Sequence, residues 1–408
     1  MRAAAGLALA ALACAPAAPA SGPPALAASP GDVPAAGPRL GLGGAGAGLP
    51  PLARAPTWLD PVPARLVARG AAVSTLPGVA VAVWIDPLDG ERLVIQVEAG
   101  TDAAPRAGLA AFDLHADRWR WARVDGCAPG RVVGVALAGP VVACATQAAG
   151  VAGAAVTALA TDTGITAWTW RGHPVEQVRG AGSVVALAGA EQVTLLDAAS
   201  GGTLAHWQVP AAAAASLVVV ARADDTAVAW RDGPRIVQRA RRAAWQPTAA
   251  TIVDGEIALL TVVGDRVAVA LADGTLYFLA GDGAAVSAGS LAAVWSPAGD
   301  RAAAVAPVPG GARLLAVDPA GIPRAEVAVA GAAPGVVVAR ASVAGAPLVW
   351  VDAAGRGTVV VEGRSSADVV DLGPGPPPAF ATVVDGVPVA GAVLGEPVRV
   401  VEVAAPGR

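Results

Sequence analysis

The chain has 408 residues, of which 55% are hydrophobic and only 15% are charged, and its formal net charge is −4. All 28 basic residues are arginine, since the sequence contains neither Lys nor Asn, and this excludes a Schiff-base lysine, a P-loop lysine and an N-glycosylation acceptor. So few basic residues also argue against nucleic-acid binding, which requires clustered positive charge.

The first part of the chain, residues 1–20, predicts export. A basic residue at position 2 precedes an apolar run over residues 3–13, which has the length of a secretory signal and is too short to span a bilayer. Two modes of processing stay open. The residues before Cys14 resemble a lipoprotein signal, whose cysteine is acylated, whereas Ala18-Pro19-Ala20 is an ordinary cleavage site. We expect a periplasmic or cell-surface protein, anchored to the membrane by lipid if Cys14 is acylated.

Residues 21–61 form a linker rich in Pro, Gly and Ala. Between residues 15 and 57 the only charged residues are Asp32, Arg39 and Arg54, and such a composition predicts a disordered tether because it cannot bury a core. The segment from Gly41 to Gly46 matches the dinucleotide-binding fingerprint. No predicted strand precedes it and no predicted helix follows it, so we expect no cofactor there.

Residues 62–404 predict an all-β domain, because short Val-, Ala- and Leu-rich runs alternate with Gly, Pro and Asp-Gly turns. The stretch 132–161 has no charge, and hydropathy alone would make it a membrane span. Gly139-Pro140, however, predicts a turn between two Val-rich runs. We therefore expect buried strands in this stretch.

The cysteines of the domain are Cys127 and Cys144. If Cys14 carries a lipid, they are the remaining pair, and exported cysteines that can reach each other oxidise. A hairpin that turns at Gly139-Pro140 places a residue near Val135, not Cys127, opposite Cys144. The sequence names the pair and leaves open whether the disulfide forms.

One phrase recurs along the domain: an apolar strand ends in Asp, a turn with Gly follows, and the next strand often carries Trp. Its clearest copies run from Leu159 to Trp170 and from Leu195 to Trp207. Weaker copies centre on Asp113, Asp232, Asp273, Asp318 and Asp352. Asp and Gly suit a tight turn, and Trp can wedge between neighbouring sheets. The copies are about 40 residues apart on average, the period of a four-stranded propeller blade.

Blade counting gives seven four-stranded units: 79–124, 131–172, 174–210, 211–246, 248–290, 291–330 and 331–372. Three more strands within 379–404 and one within 64–73 complete an eighth unit, because an N-terminal strand is the usual closure of a propeller. We predict an eight-bladed β-propeller of four-stranded antiparallel blades, with seven blades as the alternative.

The two clear copies of the phrase resemble the repeat of the PQQ-like, or quinoprotein-type, β-propellers. Val294 to Asp300 resembles a phrase of TolB-type and WD40-like propellers. Length, signal and repeat type are also similar to those of the lipoprotein propeller of the outer-membrane β-barrel assembly machinery. Quinoprotein dehydrogenases hold calcium beside the quinone with Glu and Asn. This chain has no Asn and no visible oxygen cage, so we expect no cofactor.

The candidate chemical groups are three histidines and one cluster of arginines. His115, His173 and His206 have no partner at metal-ligand spacing, and we expect each at a strand end or on the surface. The dense charge cluster consists of Arg235, Arg239, Arg241 and Arg242. On an outer strand it would be a solvated edge that discourages strand addition, or a patch that docks an acidic protein or a lipid headgroup.

Together these features predict an exported, non-enzymatic β-propeller that serves as a protein-binding or assembly platform in the bacterial cell envelope. We expect no catalytic, cofactor-binding or metal-binding residues. The alternative is a quinoprotein-like enzyme or small-ligand binder that uses the central funnel of the propeller.

Overall fold

The computed structural model describes most of residues 78–404 and four N-terminal pieces, 39–41, 58–59, 62–63 and 65–69. Within 78–404 it does not describe residues 87, 102–103, 124, 190, 291–293, 334, 338–340, 343, 353–355, 363–366, 375–378 and 395–397. Cys14 and the predicted signal, 1–20, lie outside the described residues. In the described part, no helix has the length and apolar character needed to cross a membrane.

Eight sheets follow one another along the chain, and each contains four antiparallel strands that form one blade. The strands of blades 1 to 4, from first to fourth, are Val79–Asp86, Asp89–Thr101, Ala104–Asp113 and Arg118–Arg123; Arg131–Ala138, Val141–Gln147, Ala154–Ala160 and Thr166–Gly172; Gln177–Ala181, Val184–Ala188, Gln192–Asp197 and Thr203–Gln208; and Val218–Ala221, Thr226–Asp232, Arg235–Ala240 and Pro247–Asp254.

The remaining blades have the same antiparallel order. The strands of blades 5 to 8 are Ile257–Val263, Arg266–Leu271, Thr275–Leu279 and Ala285–Ser290; Ser296–Ala298, Arg301–Val308, Gly311–Val317 and Pro323–Ala330; Gly335–Val337, Leu348–Asp352, Arg356–Glu362 and Ala367–Pro374; and Phe380–Val384, Val387–Leu394, Arg399–Ala404 and Arg65–Ala68. A two-residue strand, Ala341–Ser342, pairs in parallel with the first strand of blade 8.

The ring closes where blade 8 meets blade 1. The first strands of blades 2 to 7 contact one another in succession and so surround the axis, and the first strand of blade 8 packs against the first two strands of blade 1. Arg65–Ala68 pairs antiparallel with Arg399–Ala404 as the outermost strand of blade 8, with Leu66 opposite Val403. The predicted eight blades and the predicted N-terminal closing strand are confirmed.

Three further N-terminal strands, which we call the strap, lie on the outer rim of the ring. Arg39–Gly41, Trp58–Leu59 and Val62–Pro63 pair in parallel with the fourth strands of blades 4, 6 and 7. The linker 21–61, predicted as a disordered tether, thus contains two short strands, Arg39–Gly41 and Trp58–Leu59. Pairing along a strand edge uses backbone N–H and C=O groups, so a Gly/Ala/Pro-rich composition does not reveal it.

The hydrophobic core lies between neighbouring blades. Seven buried clusters, rich in Val, Ala and Leu, join the facing sheets of adjacent blades around the ring. Successive residues of a strand point to opposite faces of a sheet, so a blade between two neighbours buries both faces. A single blade could not do so, and the ring is therefore the unit that buries the core.

Some details of the predicted units are wrong around blade 4. Within the predicted four-stranded unit 211–246, a short helix, Ala211–Ala215, precedes the first strand, because alanine has the highest helix propensity. The fourth strand of blade 4 is Pro247–Asp254, so blade 5 begins at Ile257. Trp245 lies in a turn with a positive φ of 63° instead of on a strand. The uncharged stretch 132–161 forms strands, as predicted.

Candidate interaction surface

Antiparallel blades give the ring two faces. Turns between first and second strands and between third and fourth strands lie on one face, which we call the turn face, and the remaining connections form the opposite face. Asp113, Asp162 and Asp197 follow third strands and so occupy equivalent corners of the turn face. Asp232 and Asp352 end second strands and Asp273 follows one, so these three weaker copies of the phrase lie on the opposite face. Asp and Gly suit either kind of turn.

Carboxylates organise the corners of the turn face. Asp197 Oδ1 accepts hydrogen bonds from the backbone N–H of Ser200 at 3.0 Å and from its hydroxyl at 2.9 Å. Asp113 accepts the backbone N–H of Ala116 at 2.7 Å and Nε of Arg120 at 2.7 Å. Burial raises the pKa of Asp113, but these bonds and the Arg120 charge outweigh it, so its pKa lies below the ordinary value. These carboxylates are therefore occupied by structural contacts.

Tryptophans lock the corners at Asp162 and Asp197 to the preceding blade. Trp121 of blade 1 donates its indole N–H to the carbonyl of Thr161 at 2.9 Å, and Trp168 of blade 2 donates to Ala198 at 2.8 Å. A Cβ on Gly164 would lie 2.6 Å from the Trp121 ring, and one on Gly201 would lie 2.7 Å from Trp168. The same contact thus recurs at the next seam, as the repeated phrase predicts.

The structure joins Cys127 and Cys144 in a disulfide with a Cα–Cα distance of 5.6 Å. Val135 is opposite Cys144 in the hairpin, as the sequence predicts. Cys127 reaches Cys144 from the loop between blades 1 and 2, and both lie in the buried cluster between these blades. The register of the hairpin is therefore compatible with the disulfide, because Cys127 comes from a loop and not from the strand paired with Cys144.

The predicted arginine patch is not one surface. Arg239 is buried, and its guanidinium carbon lies 5.1 Å and 5.6 Å from the ring centroids of Trp207 and Trp230. Its Nη1 donates to the Trp245 carbonyl at 3.0 Å. Arg235 lies at the other end of the same strand, exposed on the opposite face. The cluster is contiguous in sequence, but the strand separates its members in space.

Arg241 and Arg242 remain together on the turn face, at the seam of blades 3 and 4. Arg241 donates to the Ser183 hydroxyl at 2.6 Å and lies 3.7 Å from the Asp197 carboxylate, both in blade 3. Arg242 lies 3.5 Å from Asp225 of its own blade. The two side chains are 42% and 66% exposed, so both remain accessible to a partner.

A polar cluster that the sequence did not reveal lies on the turn face where the ring closes. His115 Nδ1 is 3.0 Å from the Asp385 carboxylate of blade 8 and 3.9 Å from Glu91. Asp385 donates its backbone N–H to Glu91 at 2.8 Å. The bond to Asp385 and the charges of Asp385 and Glu91 raise the pKa of His115. Sequence spacing could not predict this cluster, because its members are almost 300 residues apart.

The other two histidines form a hydrogen-bonded chain on blade 3. His173 Nδ1 lies 2.7 Å from the Pro174 carbonyl, which can only accept, so Nδ1 carries the proton. His173 Nε2 then accepts from the Thr194 hydroxyl at 2.8 Å, and Thr194 accepts from His206 Nδ1 at 3.0 Å. Burial and the nearby His206 lower the pKa of His173 despite the Pro174 bond. Only Nε2 of His206 is left without a role in this chain.

The first strands around the axis offer few ionisable groups. In the described part of these strands they are Asp86, Arg131 and Arg179. Asp86 is buried at the strand end and pairs with Arg92 at 3.0 Å. Arg179 is exposed, although partial desolvation by its surroundings lowers its pKa. A quinone with calcium needs several converging oxygen ligands, and this donor set does not fit one.

Comparisons with known proteins give likeness of fold. No protein-family model and no curated protein matches the chain. Among solved structures, the C-terminal WD40 domain of Sif2 aligns with a TM-score of 0.54 at 15% identity, over 85% of this chain and 99% of that one.

Two bacterial propellers also align. BamB from Moraxella catarrhalis has a TM-score of 0.48 at 14% identity, over 81% of this chain and 99% of that one. Quinohemoprotein alcohol dehydrogenase from Comamonas testosteroni has a TM-score of 0.48 at 13% identity, over 84% of this chain and 77% of that one. The β-propeller fold that the sequence resemblance implies is the fold that the structure shows.

Proposed function

We propose that the protein is an exported, non-enzymatic β-propeller that binds other proteins in the bacterial cell envelope. The proposal rests on the exposed apolar and charged side chains of the turn face. Exposed apolar residues, including Leu88, Ile165 and Ile322, share the turn face with accessible Arg241 and Arg242. Exposed apolar side chains and accessible arginines on one face suit a protein interface, where arginine is enriched. Asp113 and Asp197 of this face are held in turns and by arginine side chains, which suits a structural role.

Export is supported by the predicted signal and by the disulfide between Cys127 and Cys144, since such bonds persist in oxidising compartments. Membrane anchoring through Cys14 is tested by feeding cells an alkyne-labelled fatty acid. The labelled protein is expected, and Cys14→Ser should lose the label. A mature chain that begins after residue 20 would instead indicate ordinary cleavage and no anchor.

Docking on the turn face is tested by photo-crosslinking in intact cells, with benzoylphenylalanine in place of Ile165. We expect one recurrent crosslinked protein, whose yield falls with Arg241→Glu. Arg235→Glu is the matched control, because it reverses an exposed arginine on the opposite face. Equal effects of both variants, or no recurrent partner, would count against docking on this face.

The alternative is an enzyme or small-ligand binder that uses the central funnel. It predicts that the melting temperature of the purified protein rises with PQQ plus calcium, because a bound ligand stabilises the folded state. We expect unchanged melting curves, since the described first strands do not offer a fitting donor set. A saturable rise would favour the enzyme.

A further inference from the structure

The outer rim of the propeller accepts extended chain segments. Strands of the strap add in parallel to the fourth strands of blades 4, 6 and 7, with Leu40 opposite Val253 and Trp58 opposite Ala328. Each addition is only two or three residues long. Such pairing is the mode by which extended peptides bind to exposed sheet edges.

The strap leaves part of the rim uncovered. In the described part of the chain, the fourth strands of blades 1, 2, 3 and 5 pair on one side only. Those of blades 1 to 3 are consecutive, and we call them the free arc: Arg118–Arg123, Thr166–Gly172 and Thr203–Gln208. An unpaired edge presents backbone N–H and C=O groups that can pair with another chain.

Charge distinguishes the free arc from the covered edges. Its three strands contain Arg118, Arg120, Arg123, Arg171 and His206, and no carboxylate. The fourth strands under the strap all contain carboxylates: Asp254 in blade 4, Glu326 together with Arg324 in blade 6, and Asp368 and Asp371 in blade 7. The unpaired strand of blade 5, Ala285–Ser290, has no charge. A strand that carries carboxylates therefore fits the free arc better than the other edges.

Blade 1 has the most basic strand of the arc. Its arginines are exposed, while Trp119 packs in the seam with blade 8 and Trp121 in the seam with blade 2. Arg120 is tied to Asp113, and Arg123 donates to the Gly164 carbonyl at 3.1 Å. These contacts hold the arginines in place beside the free edge. Positive charges along a strand edge repel a basic strand and attract an acidic one.

We propose that an acidic, extended segment of a protein partner adds as a strand to the outer edge of blade 1. The inference rests on the proposed protein-binding function and names the class of partner segment. Backbone pairing supplies the contact, as it does for the strap on blades 4, 6 and 7. Arg118 and Arg123 select carboxylates on the added strand, whereas Arg120 is already paired with Asp113.

The test uses the full chain and a short blocked peptide of alternating Glu and Val. Hydrogen exchange should show slower exchange at Arg118–Arg123 when the peptide is added, with Ala285–Ser290 unchanged as the uncharged edge. A peptide with Gln in place of Glu should bind more weakly, and one with alternate backbone amides N-methylated should give no protection. Arg118→Glu should weaken binding about fivefold, the size expected for an exposed ion pair. Arg235→Glu should not.

Several results would overturn the proposal. They are no protection of blade 1, equal protection of blades 1 and 5, and equal binding of the N-methylated peptide, which would mean ion pairing without strand addition. Binding to phosphatidylglycerol vesicles that depends on Arg118, without peptide binding, would make the arc a membrane surface instead. Crosslinking from Ile165 tests the platform separately, so a partner found there with no effect at blade 1 would reject only the edge site.

Discussion

Arg239 and Arg241 are two residues apart and have opposite roles. Arg239 is enclosed by two tryptophan rings and the Trp245 carbonyl, so its charge is satisfied inside the seam of blades 3 and 4. Arg241 reaches across the same seam at the surface to Ser183 and Asp197. The difference arises because Arg239 lies on the third strand of blade 4, which ends at Ala240, whereas Arg241 lies in the turn after it.

This assignment predicts unequal effects on stability. Arg239→Ala should lower the free energy of unfolding by about 2–4 kcal/mol, because it removes a packed side chain and leaves a buried carbonyl without its donor. Arg241→Ala should cost less than about 1 kcal/mol, as expected for an exposed pair. Urea denaturation measures both. Equal losses would contradict the separate placement of the two arginines.

The ion pair of His115 with Asp385 predicts a pH dependence. Because the pKa of His115 is raised in the folded state, its stabilisation is fully present below the ordinary value of 6.5 and is lost as pH rises through the folded pKa. Wild type should therefore melt at a higher temperature than His115→Gln at about pH 5.5, with the difference vanishing near pH 9. A difference independent of pH would show that the pair does not form.

At the scale of the element, the corner phrase makes a specific demand on its glycine. Gly201 has a positive φ of 71° and lies under the Trp168 ring, whereas Gly233 has a φ of 59° and no neighbour within 4 Å of an added Cβ. Gly233→Ala should cost about 1 kcal/mol for the left-handed backbone alone. Gly201→Ala should lower the free energy of unfolding by about 3 kcal/mol, since the Trp168 ring must also move. If thermal unfolding gives the same loss of unfolding free energy for both variants, the contact between Gly201 and the Trp168 ring does not form.

The disulfide fixes the loop between blades 1 and 2 to the second strand of blade 2. Its cysteines are 17 residues apart, and closing a loop of that size stabilises a protein by about 3 kcal/mol in the chain-entropy model. Cys127→Ala should lose this amount in denaturant titrations without reductant. Wild type in reductant should fall to the same level, and a smaller loss in both would mean that the bond does not constrain unfolding.

Sequence reasoning succeeded where a local signal reports local structure. The Asp and Gly of the phrase indicate a turn, and the Trp that follows indicates a contact between blades. The spacing of the phrase therefore predicted the length of a blade. Sequence reasoning failed where partners are distant or are backbone groups. The phrase could not tell a second-strand turn at Asp232 from a third-strand turn at Asp197. The contact of His115 with Asp385 joins the two ends of the domain, and the strap has no side-chain pattern.

At the scale of the molecule, the ring is closed by sequence-distant strands and is unevenly covered. The N-terminal residues occupy the edges of blades 4, 6, 7 and 8, and the free arc of blades 1 to 3, which is unpaired among the described residues, is basic. Overall charge is only −4, so this asymmetry comes from placement and not from composition. A closed ring with one distinctive arc suits a platform that holds a partner in a fixed orientation.

Hydrogen exchange on two truncated chains tests the closed ring most directly. A chain that begins at residue 64 keeps Arg65–Ala68, and one that begins at residue 70 lacks it. In the shorter chain Arg399–Ala404 becomes an edge strand, so its amides should exchange faster, while those of blade 3 stay unchanged. Equal exchange of Arg399–Ala404 in the two chains would contradict closure of the eighth blade by the N-terminal strand, and with it the ring.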